Sequence, residues 1–218
     1  MTLKKRLLIV AFSLCLVINI IFEVHSWLDR LEKRRIISIS KNFGVETSIH
    51  ANFVNTIIKD PRFAPATKVV IFIGPYKQIF HALGSILPDP PDYYILIDYL
   101  AVLDQSETQV LIAHELGHII YTPSFLEQWQ VRTFYWLRRR YPFSRKYRFL
   151  SIQKDRIITK YQVKADALAA EKTSPERMLS FLNKLYSTQS ERDELDYKMR
   201  LENLEKLSSV IPGYCKRG

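Results

Sequence analysis

Hydrophobic and polar positions divide the chain into an apolar N-terminus, a β-rich part and a helical remainder. The runs KVVIFI at 68–73 and YYILIDY at 93–99 are rich in β-branched and aromatic residues and lie beside Gly and Pro, which predicts two strands. From Ser106 onward the pattern is that of helices. The predicted fold class is therefore α+β, with a small sheet followed by a helical C-terminal half.

Local signals predict where these helices begin and end. Ser106 with Gln109 fits a capping box for a helix that runs to about Tyr121. Pro123 and Pro175 are expected at the first positions of two later helices. Further helices are predicted around 48–58, 149–172 and 190–208.

The apolar N-terminus predicts a membrane segment. Basic residues at 4–6 precede 16 residues without charge, which as a helix would span about 24 Å. We expect residues 1–26 to form an N-terminal transmembrane anchor, with a cleaved signal peptide or a buried helix as alternatives. Trp27 lies where an interfacial aromatic residue is expected. Residues 27–218 would then form one domain on the outer face of the membrane.

Composition and charge narrow the possible classes of protein. The chain has 218 residues with near-average shares of hydrophobic and charged residues, which excludes disorder. Two cysteines, Cys15 and Cys215, cannot make a disulfide framework. The 32 Lys plus Arg exceed the 22 Asp plus Glu and give a net charge of +10, which suits anionic lipid or nucleic acid. Because no nucleic-acid-binding module accompanies this charge, no nucleic-acid partner is expected.

Aromatic and basic residues are concentrated in the segment 125–150. Trp129 and Trp136 precede six basic residues between Arg138 and Arg148. This composition is typical of a segment that lies on anionic membrane lipid. An amphipathic helix followed by a solvated basic loop is the alternative, and a surface for single-stranded nucleic acid is another.

The strongest chemical signal is the run His114-Glu115-Leu116-Gly117-His118, an H-E-x-x-H motif inside a predicted helix. Residues four apart differ by about 40° around a helix, so His114 and His118 face one side and can bind a single Zn²⁺. Glu115 is turned about a quarter-circle away from that face. From there its carboxylate can reach zinc-activated water and act as the general base. The alternative is two histidines that share a core helix, but burying such polar groups without a metal or a hydrogen-bond network is costly.

Around this motif the sequence resembles a known family. Ile95 to Ile120 is similar to the strand, linker and active-site helix of gluzincin metallopeptidases of the CAAX-prenyl-endopeptidase and HtpX type. The segment 162–185 resembles that family's second zinc helix, with its E-x-x-x-D motif, and 200–204 resembles its R-I-x-x-L segment. The resemblance implies a zincin-like minimal metallopeptidase core, a Zn²⁺ cofactor, and a membrane-anchored metalloendopeptidase that hydrolyses peptide bonds.

The resemblance places the family's third-ligand glutamate at Gln162 and its orienting aspartate at Asp166. Three interpretations stay open: Gln162 binds zinc through its amide oxygen, Asp166 is itself the ligand, or the site is degenerate and the chain is a binding or chaperone-like module. Glu171 is not expected to substitute, because it lies half a turn from the ligand-bearing face. Arg200 is expected as a catalytic residue that stabilises the oxyanion, with a solvated surface charge as the alternative.

The expected partner is a protein or peptide substrate. If the strand at 93–99 lies at the edge of the sheet beside the zinc helix, as in the resembled family, an extended peptide can pair with it. Main-chain pairing of this kind would tolerate many substrate sequences.

Overall fold

The computed structural model describes residues 34–39, 44–75, 84–89, 92–98, 104–140, 145–187 and 194–210, with isolated positions between 13 and 42. The strands described are β1 (Val45–Thr47), β2 (Lys68–Gly74), β3 (Gly84–Asp89) and β4 (Asp92–Asp98). The helices described from residue 51 onward are α1 (Ala51–Ile57), α2 (Gln105–Ile120), α3 (Phe125–Arg140), α4 (Arg145–Lys172), α5 (Pro175–Ser187) and α6 (Glu194–Val210). The predicted α+β class and the helical C-terminal half are confirmed.

The four strands form one sheet in the order β1-β2-β4-β3. The two predicted strands, β2 and β4, pair in parallel at its centre, while β1 and β3 add antiparallel edges. The condition for peptide pairing with the strand around 93–99, an edge position, is therefore not met in the described sheet. Both edge strands escaped prediction, because β1 has only three residues and β3 contains Gly84 and Pro88, which weaken a strand signal.

The sheet has a hydrophobic cluster on each face, which explains why β4 reads as a continuous apolar run. Ile95 and Ile97 join the main core, which also contains residues of α2, α4 and α5. Tyr94 and Leu96 point to the other face and pack in a smaller cluster with Ile37 and residues of β2 and β3. Successive side chains of a strand alternate between faces, so a strand covered on both faces needs apolar residues throughout.

The N-terminal cap of α2 differs from the prediction. Asp104 precedes the helix, and its side chain accepts a hydrogen bond from the Glu107 amide at 2.7 Å. The Glu107 carboxylate in turn accepts a bond from the Asp104 amide, which completes a capping box. The helix is the predicted one, but its box uses Asp104 and Glu107 instead of Ser106 and Gln109.

Two further helix starts test the predicted role of proline. At α5, Pro175 occupies the first helical position as predicted. At α3, Pro123 lies before the helix, and Ser124 caps it through mutual hydrogen bonds with Glu127. Glu127 also accepts bonds from residues of α4, so the cap joins the two helices.

The predicted N-terminal transmembrane helix requires a correction. Most of residues 1–26 lie outside the described part of the chain, and among the residues that are described no helix is long and apolar enough to cross a membrane. The uncharged run of 16 residues is also short of the roughly 20 that a spanning helix needs. This part of the predicted fold class was wrong, and the outer-face location that depended on it loses its basis. The domain boundary after residue 26 stays a prediction.

A charged cluster at the surface holds the loop after α1 against the ends of α2 and α4. The Arg62 guanidinium donates to Asp60 at 2.6 and 2.9 Å and to Glu171 at 2.8 Å, and it reaches the Tyr121 hydroxyl at 3.3 Å. Lys172 donates to Asp60 at 2.8 Å. Hydrogen bonds from Arg62 and Lys172 hold the pKa of Asp60 well below its usual range.

Asp60 should therefore contribute to acid-dependent stability. A carboxyl whose pKa is lower in the folded than in the unfolded state stabilises the fold fully above its unfolded pKa of about 3.9, and this contribution falls as the pH drops below that value. We expect Asp60→Asn to lower the melting temperature at pH 7, and the difference from the native chain to shrink below pH 4. The control is Asp155→Asn on α4, whose side chain is 57% exposed beside Lys154 and which should lie near the native curve. A difference for Asp60→Asn that stays constant from pH 7 to pH 3 would contradict this.

Candidate metal centre

The candidate site lies where helices α2 and α4 approach each other most closely around Gly117. A Cβ placed on Gly117 would lie 2.7 Å from the Ala165 Cα and 3.0 Å from its Cβ. Such distances are shorter than real side chains tolerate, so only glycine fits there against a small residue on α4. The crossing brings the H-E-x-x-H face of α2 next to Gln162, one turn before Ala165, and to Asp166, which follows it.

The two motif histidines face each other as their spacing predicted. His114 Nε2 lies 3.2 Å from His118 Nε2, and the two rings are nearly perpendicular. Two nitrogens bound to one tetrahedral zinc at 2.0–2.1 Å lie about 3.3 to 3.4 Å apart, so the observed separation is close to that of a zinc site. The same distance also fits a hydrogen bond between two neutral imidazoles.

Burial keeps His118 neutral. Loss of solvation and the neighbouring His114 lower the pKa of His118 to about 3, although the Asp166 carboxylate opposes this shift. A neutral imidazole offers a nitrogen lone pair, which is the form that binds a metal. His118 is therefore in the ligating form throughout the neutral pH range.

Asp166 is the buried carboxylate that orients His114. Its Oδ1 lies 2.8 Å from His114 Nδ1, although the ring N–H points somewhat off this line. Arg200 donates two hydrogen bonds to the same carboxylate, from Nε to Oδ2 at 2.7 Å and from Nη2 to Oδ1 at 2.8 Å. Burial opposes the charge of Asp166, but the bonds from His114 and Arg200 outweigh it and lower the pKa. An aspartate that holds Nδ1 leaves Nε2 of His114 free to face His118.

Gln162 completes the set of possible metal donors. Its side chain is half-buried and forms a hydrogen bond with His118 that acts to raise the pKa of that ring, against the larger effect of burial. In the described part of the chain no group of three His, Cys, Asp or Glu side chains is placed to hold a metal. Two imidazoles and one amide oxygen nevertheless form a donor set that zinc accepts, since zinc takes both nitrogen and oxygen ligands. The residues present therefore fit the ion that the resemblance implied.

Glu115 is buried on α2 beside the two histidines. Its side chain is 7% exposed. Loss of solvation raises the pKa of Glu115, while the charges of His114 and Arg200 act in the opposite direction. A carboxyl with a pKa moved toward neutrality is better suited to accept and return a proton than one in water.

The structure also gives the positions of Arg200 and Glu171, whose roles were considered from the sequence. Arg200 is 5% exposed, so the alternative of a solvated surface charge is wrong. Its guanidinium is engaged by Asp166 and by the Tyr186 hydroxyl, and contact with an oxyanion stays a prediction. Glu171 lies outside the site and pairs with Arg62 and Lys172, as the helical angle predicted.

Sequence reasoning missed the residues that surround Arg200. Tyr186, Asp196 and Thr159 form a hydrogen-bonded chain with it. No spacing rule singles them out, because the chain joins three helices whose relative positions are set by packing.

No protein-family model matches this chain, and no curated protein matches it significantly. The functional conclusion therefore depends on the residues and their geometry.

The close approach at Gly117 predicts an unusual result for Gly117→Ala. In the interior of an exposed helix this change stabilises by about 1 kcal/mol, because alanine has the higher helix propensity. Here the added methyl group would push α4 away, and overpacking of this kind costs roughly 1–3 kcal/mol. We expect the melting temperature to fall. A melting temperature equal to or above that of the native chain would contradict a contact at Gly117 that is too close for a side chain.

Proposed function

We propose that this protein is a zinc-dependent metalloendopeptidase, which hydrolyses peptide bonds with Glu115 as the general base. The observation that carries the proposal is the 3.2 Å separation of His114 Nε2 and His118 Nε2, next to the Gln162 amide and the buried Glu115. This combination supports the resemblance to gluzincin metallopeptidases. An ordinary core helix has no need for two facing imidazoles and a buried carboxylate.

His114, His118 and Gln162 would hold the zinc ion, and Asp166 would orient His114. When bound, zinc supplies Lewis-acid chemistry that polarises a carbonyl group and makes water a stronger nucleophile. Glu115 takes the proton of the water that attacks the scissile carbonyl carbon, and it then returns that proton to the amine nitrogen as the C–N bond breaks. Burial raises the pKa of Glu115, which makes its carboxylate a stronger base toward the proton of the water.

The strand that suits an extended substrate is β3, in place of the strand expected from the sequence. β4 is paired on both sides, whereas β3 is at the edge of the described sheet and packs against the metal-site helix α2. Pro88 in β3 is typical of an edge strand. A peptide that pairs with the outer side of β3 would run along the helix that carries His114 and Glu115.

The proposal is tested on the full-length chain by zinc content and peptide cleavage. We expect bound zinc in the native protein and chelator-sensitive cleavage of an unstructured peptide. Glu115→Gln should keep the zinc and lose activity by roughly 10²- to 10⁴-fold, which is the usual contribution of a general acid–base group. The matched control is Glu171→Gln, which removes an exposed carboxylate of α4 and should leave cleavage unchanged.

A catalytically degenerate binding or chaperone-like module is the second candidate, and Gln162 is the observation that favours it. A neutral amide binds zinc more weakly than a carboxylate does, so Gln162→Glu separates the two functions. For an enzyme, this variant should bind zinc more tightly and modify an activity that the native chain already has. Absence of zinc and of cleavage in the native chain, with activity appearing only in Gln162→Glu, would support the degenerate module instead.

Contact of the segment 125–150 with anionic lipid is proposed as a separate property. On α3, Leu126 is 68% exposed and Trp129 is 45% exposed, and residues three apart lie on one helix face. Apolar and aromatic side chains on one face, followed by basic residues, suit a lipid surface.

Vesicle flotation tests this contact. The native chain should float with vesicles that contain phosphatidylglycerol more than with pure phosphatidylcholine vesicles, and the double variant Leu126→Ser, Trp129→Ser should float several-fold less. The control Ile49→Ser changes a 75% exposed apolar residue outside the segment and should behave as the native chain does. Equal flotation of all three proteins would contradict the contact.

A further inference from the structure

A polar chain continues from the metal site beyond the residues that the mechanism uses. Arg200 binds Asp166 with Nε and Nη2, and its remaining arm, Nη1, donates to the Tyr186 hydroxyl at 3.2 Å. The Tyr186 hydroxyl donates in turn to Asp196, which also accepts a hydrogen bond from the Thr159 hydroxyl. The His114 ring is thus linked through Asp166, Arg200, Tyr186 and Asp196 to Thr159 on α4.

Residues of three helices meet in this hydrogen-bonded network. Asp166 and Thr159 belong to α4, Tyr186 lies on α5, and Asp196 and Arg200 lie one turn apart on α6. The Nη2 group of Arg200 therefore has its partner on α4 and the Nη1 group on α5, and Nη1 also lies 3.6 Å from Asp196 Oδ2 on its own helix. Such an arrangement fixes the plane of the guanidinium, which has to match the plane of the Asp166 carboxylate for two parallel bonds.

The protonation states fit this direction of bonding. Burial raises the pKa of Tyr186, and the bond to Asp196 acts in the same direction, so the hydroxyl keeps its proton and donates it to Asp196. Its oxygen is then available to accept from Arg200. The guanidinium also lies over the Tyr186 ring, 5.8 Å from its centre.

We propose that Tyr186 and Asp196 are positioning residues for the metal ligand His114. They hold Arg200 in the plane of Asp166, and Asp166 then holds His114 Nδ1 so that Nε2 faces His118. This inference rests on the proposed zinc site, and it assigns to α5 and α6 a role in forming that site. Partners that orient a metal-ligating histidine typically change metal affinity by 10- to 100-fold when they are removed.

The test compares two tyrosines that pack against each other. Tyr186→Phe removes the hydroxyl that bridges Arg200 and Asp196. Tyr197→Phe removes a hydroxyl that donates to Asn183, which is not part of this hydrogen-bonded network. The two rings lie 4.9 Å apart, so the variants alter similar surroundings. Zinc affinity of each full-length protein is measured by competition with a chromophoric chelator, and the melting temperature is measured in excess EDTA.

We expect Tyr186→Phe to weaken zinc binding about ten-fold and Tyr197→Phe to bind as the native chain does. Asp196→Asn is the second variant, should Tyr186→Phe fail to fold, and it should also weaken binding. If both act through Arg200, their losses in the double variant should be less than additive.

Two negative results are distinguishable. If the native chain binds zinc and Tyr186→Phe binds it equally well, with only the melting temperature in EDTA lowered, the residues are structural and this inference is overturned while the zinc site stands. If the native chain binds no zinc, the proposed function fails and this inference fails with it.

Discussion

The buried carboxylate of Asp166 is the contact on which the candidate site depends. It is fully enclosed, and such a charge is stable only when it is neutralised and fully hydrogen-bonded. Arg200 supplies the neutralising charge from α6, and His114 supplies a ring N–H from α2. One carboxylate on α4 therefore joins the helix that carries the motif to the last described helix. Removing it would leave both a buried guanidinium and an unoriented imidazole.

Packing makes this contact possible. The contact of His114 Nδ1 with the Asp166 carboxylate requires α4 to lie almost against the backbone of α2, and the glycine at 117 permits this approach to Ala165. Gly117 in the H-E-L-G-H run and Ala165 beside Asp166 are therefore steric requirements of the same crossing. Chemistry and packing therefore meet at this crossing, because the approach that Gly117 permits is the one that places Asp166 beside His114.

The sequence predicted those features that depend on local periodicity, and it missed those that depend on long-range arrangement. The facing imidazoles follow from the spacing of four in a helix, and the two central strands follow from their β-branched composition. The edge strand β3 could not be read from a run with Gly84 and Pro88, because its place is set by pairing with β4. The surroundings of Arg200 were also hidden, since Tyr186 and Thr159 reach it from helices that meet only in the folded chain.

Compared with a carboxylate at the same position, the Gln162 amide gives the proposed zinc site a different charge balance. The charges of Asp166 and Arg200 cancel, and two neutral imidazoles and an amide would hold a bound divalent ion. Glu115, buried next to His114 on α2, would then be a carboxylate close to that ion. A cation favours the ionised form of a neighbouring carboxyl group, whereas burial alone favours the protonated form. In this site, binding of zinc and ionisation of Glu115 would therefore support each other. A glutamate at position 162 would itself balance much of the charge of the zinc ion. With an amide there, this charge is left for Glu115, the residue that would also carry the proton.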